Sequence, residues 1–538
     1  MQRRRHGSLL QGLSGEARGR RLSKLGAKQP ESTSESQANL ILSVAQLVGE
    51  SGWECYSWSS VNFMLPYINY NGGELSICSL TATDLAERFG TPLYVYSADA
   101  IVERFGQVTR AFEGVSPLIC YALKASGNLH LLRLLSDEGA GMDVVSGGEL
   151  ERAWLSGTPM SKVVFAGVGK SDREIASALS GEESLLGADF QGRDGLPARE
   201  RGPVGLFNIE SPQEAERIAR IAARLNVRAS ACLRVNPDVD AKTHKYTTTG
   251  KKENKFGVDL LQAKEILSRW RGHSHLAMKG IHLHLGSPIA SPAPYVEAVG
   301  VISSMLLEIS PPRGEQVMLN IGGGYGIDYG VGEEPASIEA FAAALMPQLT
   351  ELHRQGVGIV LEPGRCIVAH AGVLLTRVEY VKQGREKQFV ICDAGMHTLL
   401  RPALYEAFHA VWPARVDREL EPRNLRELAA WSTGGLGVLA QSDVVGPICE
   451  SSDFLAMNRG LPSVLGDQTV GGVCAGDLMA VFCAGAYGMS MASTYNDHPK
   501  PAEVLVRGRD AQLIRPRQTA LELVASELTI GRAGPRVG

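Results

Sequence analysis

Between Pro117 and about Val368 the chain alternates short apolar, β-rich runs with amphipathic helical stretches. That alternation is the pattern of repeated βα units wound around a parallel sheet. The candidate strands are LICYALK from Leu118, MDVVS from Met142, VVFAG from Val163, GLFNIE from Gly205, ACLRVNP from Ala231, GIHLHLG from Gly280, VMLNIGG from Val317 and GIVLEPG from Gly358. Eight strands with helices between them predict a TIM-like (β/α)8 barrel of the α/β class, which needs roughly 250 residues. Helix starts support the register. SDRE at Ser171 and SPQE at Ser211 each offer a serine cap with glutamate three residues on, the second with proline at the first helical position.

The barrel leaves much of a 538-residue chain unused, and a chain of that length is expected to split into domains. LPYINYNGGELSI and PLYVYS before the barrel, and VLLTRVEYVKQGREKQFVICDAG after it, read as short strands and turns. Both chain ends are therefore expected to build one β-rich domain. The expected division is a basic tail over 1–61, N-terminal strands joining the β domain over 62–98, the barrel over 99–368 and the C-terminal β domain over 369–530. Residues 181–202 and 415–437 are rich in glycine and charge and read as long inserted loops with no assigned chemistry.

Composition narrows the function. A formal charge of −4 gives no general attraction to nucleic acid or to an anionic membrane surface, and no uncharged apolar run reaches the roughly 18 residues of a membrane span. The nine cysteines are scattered without a C-x-x-C pair, which predicts free thiols in a reducing, cytoplasmic setting. Arg3, Arg4, Arg5, Arg18, Arg20, Arg21, Lys24 and Lys28 stand against only Glu16 in the first thirty residues. A disordered tail is the expectation there, with an organellar transit peptide as the alternative.

Active sites of such barrels lie at the C-terminal ends of the strands. Lys124 ends the first predicted strand, where burial would lower its pKa and leave an amine able to form a Schiff base. Alone, it would more often be a lysine snorkelling at a strand end. Strand seven runs into GGGYG from Gly322, whose missing side chains let backbone N–H groups surround an anion. Strand eight ends in EPGR, a carboxylate and a guanidinium at the same rim. His282 and His284 on strand six share a face and raise the possibility of a metallohydrolase, but no convincing further ligand set accompanies them. An amine, a phosphate cradle and a carboxylate together are what pyridoxal phosphate requires.

At these residues the chain resembles a known family. YALKASGNLHLLRLLSDEGAGMDVVSGGELERA, HLHLGS, GGGYGIDY, EPGR, DAGMHTLLRPALYEAFH, VVGPICESSDF and GAYGMSMASTYN are similar to the diaminopimelate decarboxylases, within the alanine-racemase-like, fold-type III pyridoxal-phosphate enzymes. The similarity runs from about Leu65 to Arg507. It implies decarboxylation of meso-2,6-diaminopimelate to L-lysine and CO2, the last step of lysine biosynthesis. Lys124 would hold the cofactor covalently and His284 would stack on its ring. Ser287, Gly322, Gly323, Gly324 and Tyr487 would bind its phosphate, and Glu362 would pair with the pyridine nitrogen. Cys449 would protonate the α-carbon after CO2 leaves. Arg365, Arg401 and Tyr405 are candidates for the distal carboxylate and Glu450 for the distal ammonium, with Tyr487 also at the substrate. The family delivers its CES segment from a neighbouring subunit, which implies a homodimer with shared sites.

Pro288, His397 and Ser452 stand where the family commonly has glutamine, asparagine and glycine, which puts local loop geometry in question without removing a residue given a chemical role. The competing expectations are a basic amino-acid or carboxynorspermidine decarboxylase on the same fold, and a cofactor-binding protein without activity.

Overall fold

The computed structural model describes residues 65–181, 185, 201–240, 255–309, 314–434, 439–462 and 472–528. The basic tail and most of the stretch 181–202 lie outside the described residues.

All eight predicted barrel strands form: Leu118–Ala122, Gly141–Val144, Val163–Phe165, Leu206–Ile209, Ala229–Arg234, Leu276–His282, Met318–Asn320 and Gly358–Leu361. Each pairs in parallel with its neighbour, and the eighth returns to the first through Val360 opposite Leu118 and Leu361 opposite Ile119, closing the barrel. A closed parallel sheet is buried on both faces, so these strands are short apolar runs. Ser171 caps the helix Asp172–Ser180 with Glu174 returning to the Ser171 N–H, a complete capping box. Ser211 caps Pro212–Arg224, but there the Glu214 carboxylate turns away to pair with the buried Lys170 at 2.6 Å.

The second sheet takes strands from both chain ends. Its order is Phe454–Pro462, Leu439–Val445, Gln388–Cys392, Gly372–Gln383, Leu93–Ser97, Ala502–Arg507 and Asp510–Arg515, with Leu478–Val481 and Val411–Pro413 branching from the long strand Gly372–Gln383. Leu93–Ser97 is enclosed between Gly372–Gln383 and Ala502–Arg507, and all five of its residues are buried. The earlier stretch from Ile68 does not enter this sheet. Ile68–Asn71, Glu74–Ile77 and Leu80–Thr81 make a three-stranded sheet of their own, docked on the β domain by Tyr70 Oη donating to Pro413 O at 2.7 Å and Leu75 N–H to Ala414 O at 2.8 Å. The tight turn at Gly72 and Gly73, both at positive φ, pairs Ile68–Asn71 with Glu74–Ile77 as a hairpin closed on itself.

The expectation of a featureless loop over 415–437 is corrected. Arg418–Leu420 forms a single 3-10 turn and Leu425–Gly434 a helix, whose Leu425, Leu428 and Ala429 are buried. Its apolar positions at i, i+3 and i+4 were legible as a helical face, but the surrounding charge and glycine obscured them. No helix among the described residues is long and apolar enough to cross a membrane, and the eight cysteines among them are all free.

The chain leaves the barrel through Arg365–Val368 and enters the long β-domain strand at Gly372. Here the segment 484–487 returns: Ala484 N–H donates to Gly372 O at 2.9 Å, Gly485 N–H to Ala369 O at 3.2 Å and Tyr487 N–H to Ala125 O at 2.7 Å. A Cβ on Gly485 would overlap the Val368 carbonyl. Gly485→Ala is therefore expected to destabilise the fold by about 1–3 kcal/mol, read as a lowered denaturation midpoint; an unchanged midpoint would contradict this packing.

Candidate active site

Barrel closure gathers the strand ends on one rim. Lys124 lies in the turn two residues beyond the first strand, not on it. Its Nζ donates to Asp143 Oδ2 at 2.7 Å, and Asp143, on strand two, is fully buried. Burial works to lower the Lys124 pKa, as the sequence suggested. Asp143, with Tyr487 and Glu362, acts in the opposite direction and prevails, so Lys124 is raised and held as an ammonium. The expected depression is thus reversed, because a carboxylate in contact outweighs the loss of solvent. Burial in turn raises the Asp143 carboxyl, with Glu362 adding to it and Lys124 opposing.

Glu362, directly after strand eight, sits across from this pair. Asn208 Nδ2 and Asn320 Nδ2 donate to its Oε1 at 2.8 and 2.6 Å, and His282 Nε2 lies 3.3 Å from Oε2. Burial opposes its charge, but His282, Lys124 and the Asn320 amide hold the carboxyl well below the usual carboxylate range. Glu362 is therefore a fixed anion. His284, two residues beyond His282, is pushed far down by burial, Arg234 and Lys124, which keeps its ring neutral. Arg234 is itself buried and paired with Glu210 at 3.0 Å.

The glycine run makes a backbone-lined hollow. Gly322 and Gly324 have φ of 70° and 106°, in the region that favours glycine. A Cβ at Gly323 would meet the Glu362 carbonyl, and one at Gly324 the Gly286 carbonyl. Tyr295 Oη holds the Gly323 carbonyl from behind. Ile289 N–H donates to Gly324 O at 2.8 Å and Gly326 N–H to Ile289 O at 2.9 Å, so the segment after Pro288 is stitched to the glycine run.

Arg365 lies between these groups. Its Nε and one terminal nitrogen each stand 3.3 Å from Ser287 Oγ, and the other terminal nitrogen donates to Tyr329 Oη at 2.8 Å. The Tyr487 ring centre is 4.8 Å from its guanidinium. Arg401, buried in the short helix Arg401–Tyr405, stands 5.4 Å from the centre of the Tyr329 ring, with Tyr405 one turn further on. The barrel and the β domain thus bring Lys124, His284, Ser287, Gly322, Gly323, Gly324, Glu362, Arg365, Arg401 and Tyr487 into one neighbourhood.

Cys449 and Glu450 are placed differently. They occupy an exposed turn between Leu439–Val445 and Phe454–Pro462. Cys449 N–H donates to Asn496 Oδ1 at 3.0 Å, and Glu450 accepts from Tyr495 Oη at 2.8 Å and Ser452 Oγ at 3.0 Å. Asp453 anchors the turn by accepting the Met396 and Ile448 N–H groups, each at 2.6 Å. The neighbouring His397 is buried, its ring centre 4.9 Å from that of His498.

Asp143, Asn208 and Asn320 escaped the sequence reading as site residues, and His282 was weighed there as half of a metal pair rather than as the partner of Glu362. Each is a polar residue in or just at the end of an otherwise apolar barrel strand, and that interruption was the available signal. No group of three His, Cys, Asp or Glu among the described residues is arranged to hold a metal.

The donor set fits pyridoxal phosphate: an amine on a turn, a neutral imidazole, a carboxylate whose charge its neighbours favour and a hollow that side chains cannot enter. Asp143 Oδ1 and Asn208 Oδ1, on side chains that reach Lys124 and Glu362, are buried without a hydrogen-bond partner. Fold and site together define a pyridoxal-phosphate-dependent decarboxylase, and residues 98–369 match the family model described as the pyridoxal-binding domain of pyridoxal-dependent decarboxylases. The diaminopimelate decarboxylase of Neisseria meningitidis is 42% identical over 82% of this chain and 96% of its own length, and that of Aquifex aeolicus 38% over 86% and 98%. The crystal structure of the Helicobacter pylori diaminopimelate decarboxylase in complex with L-lysine superposes with a TM-score of 0.69 at 35% identity, covering 83% of this chain and 99% of the other. The chain belongs to the diaminopimelate decarboxylase family.

Two outcomes follow from the charges around Lys124. Asp143→Asn leaves burial unopposed by its nearest anion, so the Lys124 amine should titrate about one to three pH units lower, seen in the pH dependence of its labelling by an amine-reactive reagent in cofactor-free protein. Burial, followed by Asp143, raises Glu149 from 4.5 to about 7 against the Val145 N–H. The folded chain thus holds this proton more tightly than the unfolded one, and stability falls as pH rises from about 4.5 to 7. Glu149→Gln should remove that slope from the pH dependence of the unfolding free energy.

Proposed function

We infer that the chain decarboxylates meso-2,6-diaminopimelate to L-lysine and CO2 with pyridoxal phosphate as cofactor. The observation that carries this reading is the placement of Glu362, Lys124 and Asp143 in one barrel mouth with two buried arginines, Arg365 and Arg401, alongside. An enzyme for a simple diamine precursor would have no second carboxylate for those arginines to receive.

Pyridoxal phosphate supplies an aldehyde for the substrate amine and a pyridinium ring that accepts the electron pair left when CO2 departs. Lys124 would hold the cofactor, and Asp143, with its raised carboxyl, is placed to exchange a proton with the Lys124 amine. Glu362, pinned by Asn208, Asn320 and His282, would pair with the pyridine nitrogen and favour its protonated form. His284 would offer the cofactor a neutral ring face, and Ser287, Gly322, Gly323, Gly324 and Tyr487 would receive its phosphate. Arg365, Arg401 and Tyr405 take the carboxylate of the amino-acid centre that survives into L-lysine, and Glu450 its ammonium. Cys449 delivers the proton that replaces CO2 at the α-carbon.

Cys449 and Glu450 act in the partner's site of a homodimer. Their exposure, and the ties of their turn to Asn496, Tyr495 and Met396, support delivery to a second copy. The free thiols support a cytoplasmic enzyme.

The test is product analysis with meso-diaminopimelate, L-ornithine and L-arginine supplied separately to the holoenzyme. L-Lysine and CO2 from diaminopimelate alone, lost in Lys124→Ala, are expected; turnover of ornithine or arginine would overturn the substrate assignment. Cys449→Ala should lower kcat by roughly 10^2- to 10^4-fold. Mixing and refolding Lys124→Ala with Cys449→Ala should restore activity, since mixed dimers contain one intact shared site. No recovery in verified mixed dimers would place Cys449 in its own chain's site.

A further inference from the structure

Tyr329 is where the two arginines meet. It lies in GIDYG, the loop that continues from the glycine run after strand seven. Arg365 reaches it from the barrel and donates to its hydroxyl at 2.8 Å. Arg401 reaches it from the β domain and faces its ring at 5.4 Å. The buried His409 packs edge-on against the same ring, with centres 5.6 Å apart. One phenol therefore sets the positions of two guanidiniums that come from separate parts of the chain. Those guanidiniums also sense each other: burial lowers the Arg401 pKa, Tyr329 opposes this, and Arg365 adds to the depression. Two like charges held together in a buried place are a ready receptor for an anion.

The Tyr329 loop is gripped from behind by the helix Leu425–Gly434. Arg426 clasps Asp328, with Nε 2.8 Å from Oδ2 and a terminal nitrogen donating to Oδ1 at 3.0 Å, and its other terminal nitrogen donates to Gly332 O at 3.2 Å. Gly330 lies so close to this helix that a Cβ there would come within 2.6 Å of the Leu425 carbonyl oxygen and 2.9 Å of the Ala429 Cβ. From the barrel side, His370 Nε2 is 2.6 Å from Asp328 O.

We propose that Tyr329 is a positioning residue that aims Arg365 and Arg401 at the carboxylate of the retained amino-acid centre, and that the helix Leu425–Gly434 is the brace that holds it there. The proposal rests on the diaminopimelate reading. Conversion of a meso diacid to L-lysine leaves the L centre untouched, so the product keeps the carboxylate these arginines receive. Cadaverine has the same carbon skeleton and amines as L-lysine but no carboxylate. Damage to the arginine pair therefore weakens lysine and spares cadaverine, whereas general damage to the site weakens both.

The experiment titrates holoenzyme with L-lysine and with cadaverine by calorimetry, and measures KM and kcat for meso-diaminopimelate, in wild type, Tyr329→Phe and Arg426→Gln. Melting temperatures confirm that each variant is folded. Tyr329→Phe is expected to weaken L-lysine about tenfold, the loss of one hydrogen bond to a charged group. It should raise KM by a similar factor with a smaller change in kcat, and leave cadaverine within about twofold. Arg426→Gln should move lysine and KM in the same direction by about threefold. Equal weakening of both ligands by Tyr329→Phe, or no weakening of either, overturns the positioning role. An Arg426→Gln variant identical to wild type overturns the brace. A wild-type holoenzyme that neither binds L-lysine nor turns over diaminopimelate overturns the functional reading itself, and is distinguished by failing before any substitution is made.

Discussion

The pairing of Gly358–Leu361 with Leu118–Ala122 is the constraint on which the rest of the molecule depends. A parallel sheet left open would expose two edges and scatter its strand ends. Closure removes the edges and gathers all eight C-terminal ends on one rim. Lys124 and Glu362 flank that seam. They lie at opposite ends of the barrel sequence, and they act in one field only because the last strand returns to the first.

Within that rim the governing problem is the cost of burying charge. An isolated buried carboxylate would protonate rather than remain an anion. Glu362 stays ionised because two amides and His282 reach it together, each from a different strand. Asp143 performs the same service for Lys124. Arg234, fixed by Glu210, helps keep the His284 ring neutral. These supporting residues set the charges of Glu362, Lys124 and His284 together, so the mouth is a single electrostatic unit rather than a collection of separate groups.

The β domain is more than a lid of extra strands. The return of residues 484–487 along the barrel exit brings Tyr487 against Ala125 and Arg365, and Arg401–Tyr405 adds a second guanidinium beside Tyr329. The same domain carries Cys449 and Glu450 on an exposed turn, anchored by Asp453. His397 and Ser452, two of the departures from the family pattern, join this neighbourhood: His397 packs at a tilt against His498, and Ser452 donates to Glu450.

Local pattern was enough for the barrel, its eight strands, the serine caps at Ser171 and Ser211, and the glycine hollow, because strand period, capping geometry and absent side chains are properties of neighbouring residues. Lys124 and Glu362 stood out as polar residues at predicted strand ends, whereas the roles given to His284 and Cys449 came from the family resemblance. The separate sheet formed from Ile68 and the helix Leu425–Gly434 were not legible, since which surface an element covers depends on distant partners. Nor were Asp143, Asn208, Asn320 and His282 legible as a network, because nothing local says which strand ends will face one another. The sign of the Lys124 pKa shift makes the distinction sharpest. Sequence placed the amine in a buried mouth, which alone lowers its pKa, and only the tertiary fold placed Asp143 at 2.7 Å, where contact with a carboxylate outweighs desolvation.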